Sequence, residues 1–294
     1  MITIQLKAKK EENVLRFHPW IFSGAIAKIY GKPEEGDIVK VTDNKGNFLA
    51  IGHYQIGSIT VRILSFTEQL INRYFWKDRL TKAYDMRKSL NLNESTKTTA
   101  YRLVHGEGDN LPGLIIDIYG NTAVMQAHSV GMHYAKDVIA ELLIEIIPEV
   151  TNVYYKSSNT LPYKAPVKAI DEYLIGGGEE NIAMENGIKF FPNWIEGQKT
   201  GFFIDQRDNR SLLEQYSKGR NVLNMFCYTG GFSLYAMRGG ANCVHSVDSS
   251  EKAIELTNKN IELNFGNDKR HEAFVADAFK FLDTIDDKYD LIVL

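Results

Sequence analysis

The sequence predicts a multidomain α/β and β protein: a small N-terminal β-barrel, a central α+β domain and a C-terminal parallel α/β domain. Three observations carry this. Short β-branched and aromatic runs separated by Gly-rich turns fill residues 1–66. Helical spacing and alternating apolar runs share residues 67–175. Beyond the glycine run at 176–178, strand, tight glycine turn, helix and strand follow in the order of a nucleotide-cofactor site.

In the first region Ile2–Leu6, Ile38–Thr42, Phe48–Tyr54 and Thr60–Leu64 read as strands, with a hairpin turn at Asn44-Lys-Gly-Asn47. His18 and Trp20, within the run HPWIFSGAI, fit core or corner packing at least as well as ligand contact. In the second region Tyr74–Asn91 has helical spacing. Tyr101–Val104, Leu114–Tyr119 and Thr122–Ala127 read as strands, the last two joined through Gly120-Asn121. A helix over His133–Ile147 stops before Pro148, and Asn152–Lys156 is a strand. Asp109 and Asp117, in GEGDNLPGLIIDIYG, suit turn caps and a chemical role equally. The third region opens with a linker at Gly176–Gly178 and a hairpin over Ile182–Phe191.

The bulk numbers describe an ordinary globular chain. Its 294 residues are 44% hydrophobic and 24% charged, with room for two or three domains. No apolar run approaches the roughly 20 residues that span a bilayer, and no signal peptide is expected. Two cysteines, Cys227 and Cys243, make no disulfide framework and suit a reducing cytoplasm. A net charge of −3 argues against a protein that coats nucleic acid indiscriminately. Through Ser65, however, nine Lys and Arg stand against six Asp and Glu, leaving +3 there and −6 elsewhere.

The most informative stretch is Asn193–Arg210, NWIEGQKTGFFIDQRDNR. A core segment would not carry Lys199, Asp205, Arg207 and Arg210 so closely. A solvated loop would not carry Trp194, Phe202 and Phe203. The mixture suits a lid whose aromatics pack while its polar groups face a ligand. After it come strand Val222–Phe226, turn Cys227–Gly231, a helix from about Phe232, strand Cys243–Val247 and Asp248. Gly230 and Gly231 permit a tight turn, and the next helix offers free N–H groups. The turn reads CYTGGFS and lacks the G-x-G-x-x-G spacing of a pyrophosphate loop, which disfavours a dinucleotide. Asp248 suits ribose hydroxyls or a cap on helix Glu251–Leu263. Asp277 follows a third strand, Glu272–Val275, and is an N-cap candidate for Ala278–Leu282. Tyr289–Leu294 reads as a buried parallel strand.

QKTGFFIDQR followed by this strand-and-turn order resembles the bacterial and archaeal large-subunit rRNA cytosine-5 methyltransferase family. HPWIFSGAI resembles the opening of that family's PUA domain, a small pseudo-barrel that binds RNA. The resemblance implies a PUA-like domain over 1–66, a central α+β domain over 67–175 and a Rossmann-like class I methyltransferase domain over 176–294, incomplete after its fourth strand. It implies S-adenosylmethionine (AdoMet) as cofactor, with no metal, and large-subunit (23S) rRNA as partner in the cytoplasm. A homodimer is among the expected assemblies. Gln198, Lys199, Thr200, Gly201, Asn224, Phe226, Tyr228, Thr229, Gly230, Asp248, Asp277, Ala278 and Phe279 would meet the cofactor. Asp277 would take the adenine amine, with Phe279 on the ring. His18, Trp20, Lys199 and Arg207 would meet RNA, Arg207 being equally suited to an ion pair with Asp205 or Asp248. In the family an Asp-Pro-Pro motif and a cysteine that attacks C6 of the base come later than Leu294, so no catalytic residue is assigned, and a chain about a hundred residues longer is expected. A guanine N-methyltransferase of the same fold and a non-catalytic RNA-binding module are the alternatives.

Overall fold

A computed structural model describes residues 2–93, 96–162, 165–178, 181–286 and 288–294. The chain divides into two compact units, Met1–Asn93 with Tyr101–Glu179, and Glu94–Ala100 with Glu180–Leu294.

The first unit opens with β1 (Ile2–Leu6), α1 (Glu12–Leu15), β2 (Trp20–Phe22), β3 (Ile26–Tyr30), β4 (Ile38–Thr42), β5 (Phe48–Tyr54) and β6 (Ile59–Ser65). They form one sheet in the order β2-β6-β5-β4-β1-β3, over a core that includes Ile4, Leu6, Val39, Val41, Val61 and Ile63. β1 runs parallel to β4 and antiparallel to β3. Its outer strands β2 and β3 do not pair with each other, so the expected barrel is a curled open sheet. The β4–β5 hairpin turns where predicted, because the Asp43 carboxylate accepts the Lys45 and Asn47 amides, both at 2.8 Å.

The same unit continues with α2 (Arg73–Ser89), β7 (Ala100–His105), β8 (Leu114–Tyr119), β9 (Thr122–Ala127), α3 (Val130–Tyr134), α4 (Lys136–Ile146), β10 (Asn152–Tyr155) and β11 (Glu172–Ile175). The sheet order is β11-β10-β9-β8-β7, and α2 packs against α4. The helix expected over His133–Ile147 begins earlier and is broken at Ala135. Ser129 starts it by accepting the Met132 amide, and Gly131 is required because a Cβ there would lie 2.2 Å from the His53 ring. β11 was not anticipated, its four residues being too short for an alternation signal. Asp109 and Asp117 are not merely turn caps. Asp109 holds Arg87 while accepting the His105 amide, and fully buried Asp117 holds Arg102 bidentately at 2.8 and 2.9 Å.

The second unit contains hairpin β12 (Ala183–Glu185) and β13 (Ile188–Phe190), then α5 (Arg207–Tyr216), β14 (Asn221–Met225), α6 (Gly231–Arg238), β15 (Cys243–Asp248), α7 (Glu251–Phe265), β16 (His271–Val275), α8 (Ala278–Thr284) and β17 (Leu291–Val293). The last four strands form a wholly parallel sheet, ordered β16-β15-β14-β17. Strand order reverses at β14, which puts the natural ligand crevice at the C-terminal ends of β14 and β15. Among the described residues no helix is long and apolar enough to cross a membrane.

Candidate cofactor site

At those strand ends lies a cavity of about 580 Å³, lined among others by Asn193, Gln198, Phe226, Tyr228, Thr229 and Asp248. The turn that forms its floor is unusual in its backbone. Phe226 and Tyr228 are left-handed, at φ 54° and 49°, and Gly230 lies at φ 77°. Bulky side chains rarely accept that region, and strain of this kind gathers at ligand sites. Gly230 has a second constraint, since a Cβ would sit 2.6 Å from Thr257 Cγ2.

Side chains of α7 hold this turn in place. Thr257 donates to the Tyr228 carbonyl at 2.9 Å, and Asn260 donates to the Thr229 carbonyl at 2.9 Å. Asn260 also accepts the Phe191 amide at 2.8 Å. Asp248 accepts the Tyr228 amide with Oδ2 and the Ser250 amide with Oδ1, both at 2.9 Å. A carboxylate has roughly four acceptor positions, so room remains for two hydroxyl donors. Ser250, not Asp248, caps α7. Thr229 lines the same cavity, and its buried hydroxyl has no hydrogen-bond partner among the described residues. A buried polar atom left unpaired costs about 1–3 kcal/mol, which a polar ligand relieves. A carboxylate with spare acceptor capacity, an orphaned hydroxyl and an exposed aromatic, Phe226, together fit a nucleoside-bearing cofactor.

The segment Asn193–Arg210 divides into two parts. Gln198 and Phe203 line the cavity, whereas Trp194 and Phe202 are buried, Phe202 stacking on Phe190 at 4.0 Å. Lys199, Thr200 and Gly201 do not line it: Lys199 is exposed, Thr200 is buried, and the Gly201 carbonyl accepts the Asn193 amide. The lid-like composition and the family resemblance imply that these three meet the cofactor, whereas the loop leaves them outside the cavity wall. Beyond Phe203 the segment is helical, not lid: a 3-10 turn over Ile204–Gln206 leads into α5 at Arg207.

Arg207 requires a correction. It pairs with neither Asp205 nor Asp248 and is committed to Glu185, at 3.3 Å, and to the Ala100 carbonyl. Glu185 is buried and grips Arg210 bidentately, both contacts at 2.8 Å, and takes the Tyr235 hydroxyl at 3.0 Å. Arg210 stacks over Phe202 at 4.5 Å and donates to the Phe203 carbonyl at 3.0 Å. The arginines of DQRDNR therefore brace the loop from beneath.

Asn224, Gly230, Asp277, Ala278 and Phe279 also lie outside the lining. Asn224 is internal and donates to Ser233 at 2.9 Å. Asp277 caps α8, its Oδ1 accepting the Phe279 and Lys280 amides at 3.1 Å, while Oδ2 takes no bond among the described residues. Phe279 is exposed. In the first unit Trp20 donates to Glu107 at 2.7 Å, with Arg62 beside the same carboxylate, and His18 contacts the Trp20 backbone. Both side chains are half-buried and take part in hydrogen bonds within the first unit.

Cys227 sits in the turn but is buried, and desolvation pushes its thiol up to about 12 despite the Thr257 hydroxyl nearby. At pH 8 it should alkylate roughly a thousand-fold more slowly than a free thiol, because little thiolate exists. Iodoacetamide labelling followed by peptide mass spectrometry measures this, and rapid labelling would contradict the burial.

Comparisons agree with this architecture. Residues 4–66 match a PUA-like domain model and residues 161–294 an S-adenosylmethionine-dependent methyltransferase model. Ribosomal RNA large subunit methyltransferase I of Vibrio campbellii and that of Vibrio vulnificus are each 38% identical over 299 aligned positions. Each alignment covers 99% of this chain and 75% of the relative. A solved Streptococcus mutans protein, described as a SAM-dependent methyltransferase, superposes with a TM-score of 0.82 at 25% identity, covering 100% of this chain and 76% of its own. A methyltransferase solved in complex with SAH, the demethylated cofactor, gives the same figures. Fold, cavity and sequence agreement place the chain in the S-adenosylmethionine-dependent ribosomal RNA large subunit methyltransferase I family.

Proposed function

We propose that this chain works in methyl transfer from AdoMet to C5 of a cytosine in large-subunit rRNA, with its cofactor in the cavity at the ends of β14 and β15. The observation that carries the site is Asp248, fixed by two backbone amides with acceptor capacity to spare beside the unpaired Thr229 hydroxyl. Asp248 would bind the ribose, and Oδ2 of Asp277, left over from capping α8, the adenine amine. Phe226, Tyr228 and Thr229 would form the wall toward the methionine end, with Gln198 opposite. The bound cofactor supplies an electrophilic methyl on a sulfonium, while these residues orient it. RNA contact falls to the basic N-terminal region and exposed Lys199, since Arg207 is engaged elsewhere. Domain limits at 66 and 175, a cytoplasmic setting suited to Cys227 and Cys243 as thiols, and a homodimer readable by light scattering belong to the same proposal.

Titration calorimetry should show SAH binding and no heat with NAD, because the turn lacks a pyrophosphate loop. NAD binding in place of SAH would overturn the cofactor assignment. Deleting the gene in its host should remove one 5-methylcytidine from large-subunit rRNA. Loss of a methylguanosine instead would support the guanine alternative.

A further inference from the structure

The cavity wall formed by Glu196, Gly197 and Gln198 is fastened at two places of different character. At its base the loop closes on itself, the Asn193 amide bonding to the Gly201 carbonyl at 3.2 Å and the Gly197 amide to the Asn193 carbonyl at 3.1 Å. The Asn193 side chain accepts the Glu196 amide at 2.9 Å. Over the cavity, the Tyr228 hydroxyl accepts the Gln198 amide at 3.0 Å. Gly197 permits this close approach, for a Cβ there would lie 2.5 Å from that hydroxyl and 2.1 Å from the Asn193 carbonyl. The second fastening is ionic. Lys252, on the first turn of α7, contacts both Glu196 carboxylate oxygens at 2.9 and 3.0 Å, and both side chains are exposed.

We infer that residues 196–198 form a strap across the cofactor cavity, held by the Tyr228 hydroxyl and released at the Glu196–Lys252 ion pair, so that Tyr228 is a positioning residue for the cofactor. Tyr228 is suited to this because it joins both sides of the site. Its amide fixes Asp248, its carbonyl is tied to Thr257, and its hydroxyl holds the strap. The strap position is thereby referenced to the carboxylate proposed for the ribose. The ion pair suits release, since an exposed pair contributes little and is weakened by salt. Strap opening would admit and discharge cofactor while the floor of the cavity stays in place.

The inference about cofactor rests on the functional reading above, but the strap itself is tested without ligand. Hydrogen exchange at the Gln198 amide in the ligand-free protein should rise about two- to five-fold in Glu196→Gln, the effect of losing an exposed ion pair. It should rise about three- to ten-fold in Tyr228→Phe, which keeps the ring on Phe203 and loses only the acceptor. Lys252→Arg, which preserves the pair, should exchange like the parent, and added salt should reproduce Glu196→Gln. In stopped-flow measurements SAH dissociation should quicken in the same order of variants. Unchanged Gln198 exchange in both Glu196→Gln and Tyr228→Phe overturns the strap. Faster exchange in a protein that does not bind SAH sustains the strap and overturns the cofactor reading instead.

Discussion

Glu185→Ala should destabilise the second unit by roughly 3–5 kcal/mol, the usual cost of removing one partner of a buried ion pair. Glu185 and Arg210 are among the most enclosed charged groups of the chain, at 1% and 2% exposure. Removing the carboxylate leaves the buried Arg210 guanidinium with only the Phe203 carbonyl, Arg207 with the Ala100 carbonyl, and the Tyr235 hydroxyl with the Glu185 backbone carbonyl. Arg210 would no longer be held over Phe202, and a Cβ on Gly231, at the start of α6, would sit within 3.4 Å of both residues. The damage should therefore reach the cofactor turn, and SAH affinity should fall together with the melting temperature. A double replacement, Glu185→Leu with Arg210→Met, should recover much of the stability, because an apolar pair of similar volume removes the desolvation cost along with the attraction. Tyr235→Phe should cost only about 0.5–1.5 kcal/mol, one hydrogen bond. Arg207→Ala gives a further contrast: lowered stability with RNA affinity little changed is the signature of a brace. Chemical denaturation monitored by circular dichroism, beside filter binding to an rRNA fragment, measures both. A Glu185→Ala protein as stable as the parent would show that the network is ornamental.

The order of strand, turn, helix, strand and acid was legible because each element is local: the glycine pair, the apolar strands and the acid follow one another within about thirty positions. Asp248 could be located at the strand ends on that basis, and Thr229 through the family resemblance of the turn. Glu185 could not. It lies in a short hairpin strand whose sequence, AME, carries no signal of burial, and its partners arrive from α5 and α6. The arginines were visible, but their role depends on a carboxylate 22 and 25 positions away. Thr257 and Asn260 offered a fainter clue. Both lie on the buried face of α7 with Ala253, Ile254 and Ile261, and a polar residue on an apolar face needs a partner. Nothing in the sequence said that the partners would be carbonyls of the cofactor turn. In the first unit, the salt bridges of Asp109 and Asp117 were hidden for the same reason, while the hairpin turns, being local, were read directly.

Asp248→Ala should weaken SAH binding by about 1–3 kcal/mol, or roughly 5- to 150-fold, the cost of leaving charge-assisted hydrogen bonds to the ribose unmade. Two effects contribute, and they can be separated. The carboxylate would lose its direct bonds to the ligand, and the Tyr228 and Ser250 amides would lose their acceptor. The second effect loosens a left-handed turn, Tyr228 lying at φ 49°, which Thr257 and Asn260 would still hold by its carbonyls. Asp248→Asn distinguishes the contributions chemically. An amide keeps one acceptor oxygen but must turn its NH2 toward one of the two backbone N–H donors, so one of those bonds becomes a repulsion. If amide acceptance were all that mattered, Asn would retain about half of the anchoring and bind SAH far better than Ala. If the ribose bonds dominate, both variants should bind comparably poorly, because the full charge that strengthens those bonds is gone from each. The comparison with Asp277→Ala sharpens the assignment. That change removes the cap of α8 and should cost about 1 kcal/mol of stability, while on the proposed reading it would reach the ligand only at the adenine end. Titrating S-adenosylhomocysteine against 5′-deoxy-5′-methylthioadenosine, which keeps the ribose and adenine and lacks the amino acid, should show the same proportional loss for both ligands in Asp248→Ala. A loss confined to S-adenosylhomocysteine would move Asp248 to the methionine end, and unchanged affinity for both would remove it from the site.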